Sequence, residues 1–199
     1  MKKAMGCALL LLLATAAFGD SLTGADREKG VKYLEQTRDG VVAATKGLSP
    51  AQMNFKPAPD RWSVAEVLEH IALAEDFIFQ NITTKIMQAP AGAADRDTAK
   101  IDAMVVAMIP DRSHKAQAPG PLVPTGRWTP SAALEHFMNS RARTITYLES
   151  TPDLREHVVD SPLKQPLDGY EWLLFISAHS ERHTKQILEV KADPNFPKN

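Results

Sequence analysis

Two histidines four positions apart, His179 and His183, stand in the stretch AHSERHTKQILEV (178–190), which otherwise reads as helix. A helix turns about 100° per residue, so positions i and i+4 lie about 40° apart on one face, with Cβ atoms about 6 Å from each other. Both imidazoles therefore reach a single ion. Trp172, Ile176, Gln186, Ile187 and Val190 share their stripe by the same rotation. The pair thus belongs to a buried face, where a neutral ring nitrogen needs a partner. A third imidazole, His70, sits beside the stripe of Val67 and Ala74 in another helical stretch and also points inward. It lies seven residues after Ser63, and His183 lies seven before Val190. If those two helices run antiparallel the histidines are level; if parallel, they miss by several residues at about 1.5 Å each.

Three neutral nitrogens without a thiolate suit a divalent zinc, nickel or iron ion and leave coordination positions for water or a small-molecule substrate. Two related chemistries are excluded. A zincin needs H-E-x-x-H, whereas Ser180 follows the first histidine here and Glu181 points to the opposite side. A ferritin-like di-iron centre needs Glu-x-x-His on two helices, and no such pair occurs in the chain. Glu66, one turn before His70 on about the same face, is the best-placed general base. Arg141 falls in the apolar stripe of a further helix. It reads as a buried arginine paired with a carboxylate such as Glu66 or Glu75, or, more sharply, as an anchor for an anionic substrate. Arg182 and Gln186 flank the histidine pair and are expected to support it from outside. His136 lies far round its helix and is expected to be solvated. His114 and His157 sit in loop-like sequence and are read as surface residues, and Trp62, Trp128 and Trp172 as core or helix-entry packing.

Four long helical segments must position these groups. The first spans about 26–46 and stops at Gly47; LSPAQMNF follows as a short capped turn and KPAPDRW as a proline-rich connector. The second opens on an S-x-x-E capping box, Ser63 with Glu66, and runs to about Met87. The third opens at Thr129-Pro130 and runs to about Ser150; the fourth opens at Asp168 with Glu171 three later and ends before Asp193-Pro194. Between the second and third lies a long stretch, 88–128, with one short helix in DTAKIDAMVVAM and then a Pro- and Gly-rich run. A connection of that length permits a crossover that leaves its two helices parallel. Helices two and four are then antiparallel, which is the arrangement that levels the histidines. No strand signal of period two is found. The fold class is all-α, a four-helix bundle.

The first nineteen residues differ in kind. A charged start (Lys2, Lys3), an apolar run from Ala8 to Leu13 and small residues before Asp20 have the anatomy of a secretory signal peptide. The run is too short for a membrane span of about 20 residues, so no stable membrane insertion is expected after cleavage. Cys7 precedes the apolar run, an order that argues against a lipoprotein. The remaining domain, 20–199, is expected to be periplasmic or secreted. It has no cysteine, so disulfides and thiolate chemistry are excluded. Loss of the two lysines leaves 21 basic against 24 acidic side chains, a formal charge of −3, and nucleic acid has no electrostatic case as a partner. A homodimer is compatible with the pattern.

The segments RWSVAEVLEHIALAE, FMNSRARTITYLE and HSERHTKQILEV together closely resemble the DinB-like (DinB/YfiT) superfamily of metalloenzymes, over about residues 27–192. The most specific part is the lone histidine of the second helix together with H-x-x-x-H in the fourth. The resemblance implies His70, His179 and His183 as metal ligands and a bundle of up-down-down-up topology. Characterised relatives include thiol-dependent transferases and isomerases that use mycothiol or bacillithiol. Those thiols are cytosolic, whereas this chain carries an export leader. An exported hydrolase-type metalloenzyme is therefore the first expectation. A thiol-dependent S-transferase or isomerase is the second, and a non-catalytic metal or small-molecule binding module the third.

Overall fold

Capping chemistry fixes where each helix starts. Thr23, Ser63, Thr129 and Asp168 each accept a backbone N–H two or three residues into the helix that follows, and Ser63 and Asp168 do so in full capping boxes with Glu66 and Glu171. The resulting helices are α1 (Gly24–Thr45), α3 (Val64–Thr84), α5 (Pro130–Ser150) and α6 (Gly169–Lys191). A one-and-a-half-turn helix, α2 (Pro50–Asn54), is boxed by Ser49 and Gln52, and α4 (Thr98–Met108) lies in the long connection. Gly47, at φ +72°, takes the left-handed turn that ends α1. The computed structural model describes residues 21–93 and 95–198, so the expected leader lies outside the described residues. Among the described residues no helix is long and apolar enough to cross a membrane.

Side-chain pairings give the helix directions. Asp26 meets Tyr170, Tyr33 meets Glu181 and Ala44 meets Lys191, so α1 and α6 run parallel. Glu75 meets Arg141 and Phe79 meets Tyr147, so α3 and α5 are parallel too. Arg27 reaches the carbonyls of Leu148 and Thr151 while Arg141 reaches that of Leu34, so α1 and α5 are antiparallel. The bundle is up-down-down-up. Its parallel step is made by the connection 85–129, in which α4 packs against α6. Val41, Val64, Leu68, Phe137 and Ile187 fill the end that holds the histidines, and Leu34, Ile82, Leu148, Tyr170 and Leu173 fill the other. Each such side chain, fully buried, stabilises the fold by about 1.5–3 kcal/mol.

Two expectations are corrected. A two-residue antiparallel ladder, β1 (Val158–Val159) with β2 (Leu167–Asp168), precedes α6, and Ala91 bridges to His157. Strands of two residues are too short to show any alternation. His157 is half-buried there, its Nδ1 donating to the Ala89 carbonyl at 2.6 Å.

Gly30 marks the tightest helix approach. A Cβ on it would lie 2.8 Å from Tyr170 Cε2 and 2.9 Å from Leu148 Cδ2, both in buried side chains. Overpacking of this kind costs about 1–3 kcal/mol, more than the helix propensity of about 1 kcal/mol that alanine gains over glycine. Gly30→Ala is therefore expected to lower Tm in a thermal melt; a rise would show that the Tyr170 ring yields freely.

Candidate metal centre

His70, in the second turn of α3, and His179 and His183, one turn apart on α6, converge because the two helices are antiparallel at this depth. Their ring nitrogens include one from each residue within 4.8 Å of the others. His70 Nε2 lies 3.1 Å from His183 Nε2. Two nitrogens bound at 2.0–2.1 Å on a tetrahedral zinc ion sit about 3.3 Å apart, so the spacing suits one shared divalent ion.

The opposite edges of the two rings decide what those nitrogens are. His70 Nδ1 is 2.8 Å from the Leu122 carbonyl oxygen, which only accepts, so Nδ1 carries the proton and donates it. His183 Nδ1 is 2.8 Å from Gln186 Oε1, an oxygen that also receives Arg112 at 3.4 Å. Both Nε2 atoms are then bare lone pairs facing each other. Two acceptors at 3.1 Å repel unless a cation lies between them. Protonation is a poor substitute. His70 and His183 are 3% and 8% exposed, and burial disfavours the charged form of each. Burial, and then His70 alongside, push His183 down to about 3 against the opposing Gln186 bond. Burial followed by its two histidine neighbours holds His179 well below the ordinary imidazole range, and burial lowers His70 as well.

His179 is half-buried, whereas His70 and His183 are buried. Phe175 stands nearly parallel behind its ring at 6.4 Å, and Trp62 leans on His70 at 4.9 Å.

The other residues singled out in the sequence are placed differently. Glu66 is not in the imidazole cluster: one carboxylate oxygen accepts the Ser63 N–H at 2.7 Å and the other Lys56 Nζ at 2.9 Å. Among the described residues no carboxylate joins the three histidines. Arg141 pairs with Glu75 at 2.9 and 2.7 Å and also donates to Leu34 O, Thr37 Oγ1 and Ser180 Oγ, so none of its five N–H groups is left for an anion. Arg182 donates to the carbonyls of Ile109, Asp111 and His114 and so pins the crossover to α6. Gln186 does support His183. His136 is not freely solvated: its Nε2 is 2.5 Å from Asp76, and Trp128 stacks on its ring at 4.4 Å. Rotation about α5 places His136 off the core correctly but does not show that Asp76, from parallel α3, flanks that face. Sequence reasoning missed Arg112 and the Leu122 carbonyl, because both arrive through the crossover, whose path no periodicity encodes.

The chain is similar to known proteins in sequence and in fold. The DinB superfamily model matches residues 33–187. YuaE of Bacillus subtilis (strain 168), itself uncharacterised, is 26% identical over 148 residues, covering 73% of this chain and 87% of the relative. The solved structure of YfiT from Bacillus subtilis, described as a probable metal-dependent hydrolase with an unusual four-helix bundle topology, superposes with a TM-score of 0.56 at 16% identity, covering 89% of this chain and 93% of that one. At that identity the likeness concerns the fold, whereas the family match spans most of the bundle: the chain belongs to the DinB superfamily.

Proposed function

We propose that this protein is an exported metal-dependent enzyme in which His70, His179 and His183 hold one divalent ion, with hydrolysis of a small molecule as its reaction class. The observation that carries the reading is the pair of bare Nε2 atoms 3.1 Å apart, each committed to that state by an Nδ1–H bond on its far edge. A divalent ion held there supplies Lewis acidity and lowers the pKa of bound water. The chain's own groups would hold and orient it: Gln186 and Leu122 fix two of the rings, and Trp62 and Phe175 lie beside the cluster. Among the described residues no carboxylate in the cluster competes for the ion or takes a proton from a nucleophile, so metal-assisted hydrolysis suits the site better than a base-dependent reaction. The description of YfiT as a probable metal-dependent hydrolase agrees. Export rests on the leader-like segment 1–19. N-terminal sequencing of the mature protein is expected to begin near Asp20.

Metal analysis of tag-free protein tests the centre. Wild type is expected to carry close to one zinc, nickel or iron ion per chain, and His179→Ala to lose it. Equal absence of metal from both after incubation with each ion would end the proposal. A hydrolysis panel run beside a thiol-conjugation panel then separates the reaction classes, and turnover lost in folded His70→Ala marks catalysis; a loaded protein inert in both is a binding module.

A further inference from the structure

The crossover between α4 and α5 contributes no imidazole, yet its Leu122 carbonyl decides which nitrogen of His70 faces the other two histidines. That carbonyl is held from both sides. Before it, a 3₁₀ turn spans Gly120–Leu122, with the Leu122 N–H donating to Pro119 O at 2.8 Å and the Val123 N–H to Gly120 O at 3.2 Å. After it, the backbone N–H groups of Thr125, Gly126 and Arg127 converge on the Glu69 carboxylate at 2.9, 2.9 and 3.4 Å. Gly126, at φ +74°, bends the chain so that successive donors point at one anion. Glu69 is 3% exposed and adjoins His70 on α3. Two consecutive residues of one helix thus grip one segment, Glu69 by receiving its N–H groups and His70 by donating to its carbonyl.

We propose that Glu69 is a positioning residue for the metal centre: by anchoring residues 125–127 it fixes the Leu122 carbonyl, and through it the tautomer and orientation of the His70 ring. The inference rests on the divalent-metal reading of the three histidines. Carbonyl and carboxylate partners of ligand imidazoles set which nitrogen is bare, and their loss typically weakens metal binding about 10–100-fold. Here the partner is a backbone oxygen that no substitution removes, so control passes to the side chain that holds its segment.

Nitrogen-15 shifts of the His70 ring in the full, metal-free chain read the tautomer directly. Wild type is expected to show a single Nδ1–H form, and Glu69→Gln, which exchanges an accepting oxygen for a donor facing backbone N–H groups, a mixture. Cobalt(II) affinity by chelator competition is expected to fall about 10–100-fold in parallel, with altered d–d bands. Gly126→Ala strains the left-handed residue from the loop side and should move both readouts in the same direction without touching α3. Ile82→Val, a core trim at the far end of α3, should move neither. A single unchanged tautomer and wild-type cobalt affinity in Glu69→Gln and Gly126→Ala would overturn the inference while the metal centre stands. Failure of wild type to bind cobalt would instead remove the metal centre, and with it this role.

Discussion

Arg141→Met is expected to destabilise the bundle by about 3–5 kcal/mol, the usual cost of stripping one partner from a buried ion pair. The side chain is 0% exposed, and from α5 its guanidinium reaches the other three long helices: Glu75 on α3, Leu34 and Thr37 on α1, and Ser180 on α6. Without it, among the described residues Glu75, 2% exposed, keeps only the Thr144 hydroxyl at 2.9 Å. An uncompensated carboxylate there is the dominant loss. The Leu34 carbonyl and Ser180 hydroxyl add smaller ones, since a typical hydrogen bond contributes about 1 kcal/mol.

The size of that loss is not the worth of the pair. Two charges taken out of water and then paired come out near even against well-packed apolar side chains. Arg141→Met/Glu75→Leu should therefore be more stable than Arg141→Met alone, although it carries one substitution more. Urea denaturation of both variants, with equal m-values, checks this. A single variant costing less than 1 kcal/mol would mean that water replaces the guanidinium; a double variant worse than the single would mean that the network, not the stranded charge, dominates. Arg141→Lys is expected to fall between, because a lysine cannot make the two-pronged contact.

Much of this was legible in the residues. The capping boxes at Ser63 and Asp168 and the stop at Gly47 place helix ends within a few residues, because caps act through neighbours in sequence. The convergence of His70 with His179 and His183 was legible as well, because the long crossover and the equal depth of the histidines require the same helix direction. Glu66 shows where such reading stops. Capping box and general base were both available to it from its position, and only the distances to Ser63 and Lys56 show where the carboxylate points. The contacts that fix the imidazole tautomers were illegible for a different reason. Leu122 acts through its backbone oxygen, which is common to every residue type, and Arg112 and Glu69 act through a loop that carries Gly126 and four prolines and whose path no periodicity encodes. The ion network at the start of α6 was hidden in the same way, since Arg96 and Arg155 come from segments without helical or strand rhythm, and the short helix that carries Asp102 does not itself encode where it packs.

That network should give the protein a carboxyl titration opposite in sign to the usual one. Asp102, Asp168 and Glu171 face two guanidiniums, Arg96 and Arg155, with Arg96 2.6 Å from Glu171, Arg155 3.1 Å from Asp168 and 2.6 Å from Asp102. Three carboxylates against two cations leave one negative charge unbalanced, and a single proton neutralises the set. Glu171 is 0% exposed, and among the described residues its Oε1 accepts no hydrogen bond and has the Arg155 guanidinium only at 3.5 Å, so it is where that proton is expected. Burial first, then Asp168 beside it, raise its pKa from 4.5 to about 7, outweighing the Asp168 N–H and Arg96. Because the folded value lies above the unfolded one, the stabilisation is complete below pH 4.5 and is lost as pH rises through 7, by up to roughly 3 kcal/mol. The three clustered histidines act the other way: their lowered values make the fold stronger as pH rises toward 6.5. The carboxyl effect must therefore be read as a difference. Glu171→Gln keeps the capping box, since an amide oxygen accepts the Asp168 N–H as well. Wild type minus Glu171→Gln, taken from urea midpoints between pH 5 and 8, should decline from pH 5 to about 7 and level off by pH 8. A flat difference would place the proton elsewhere in the network and leave Glu171 ionised throughout.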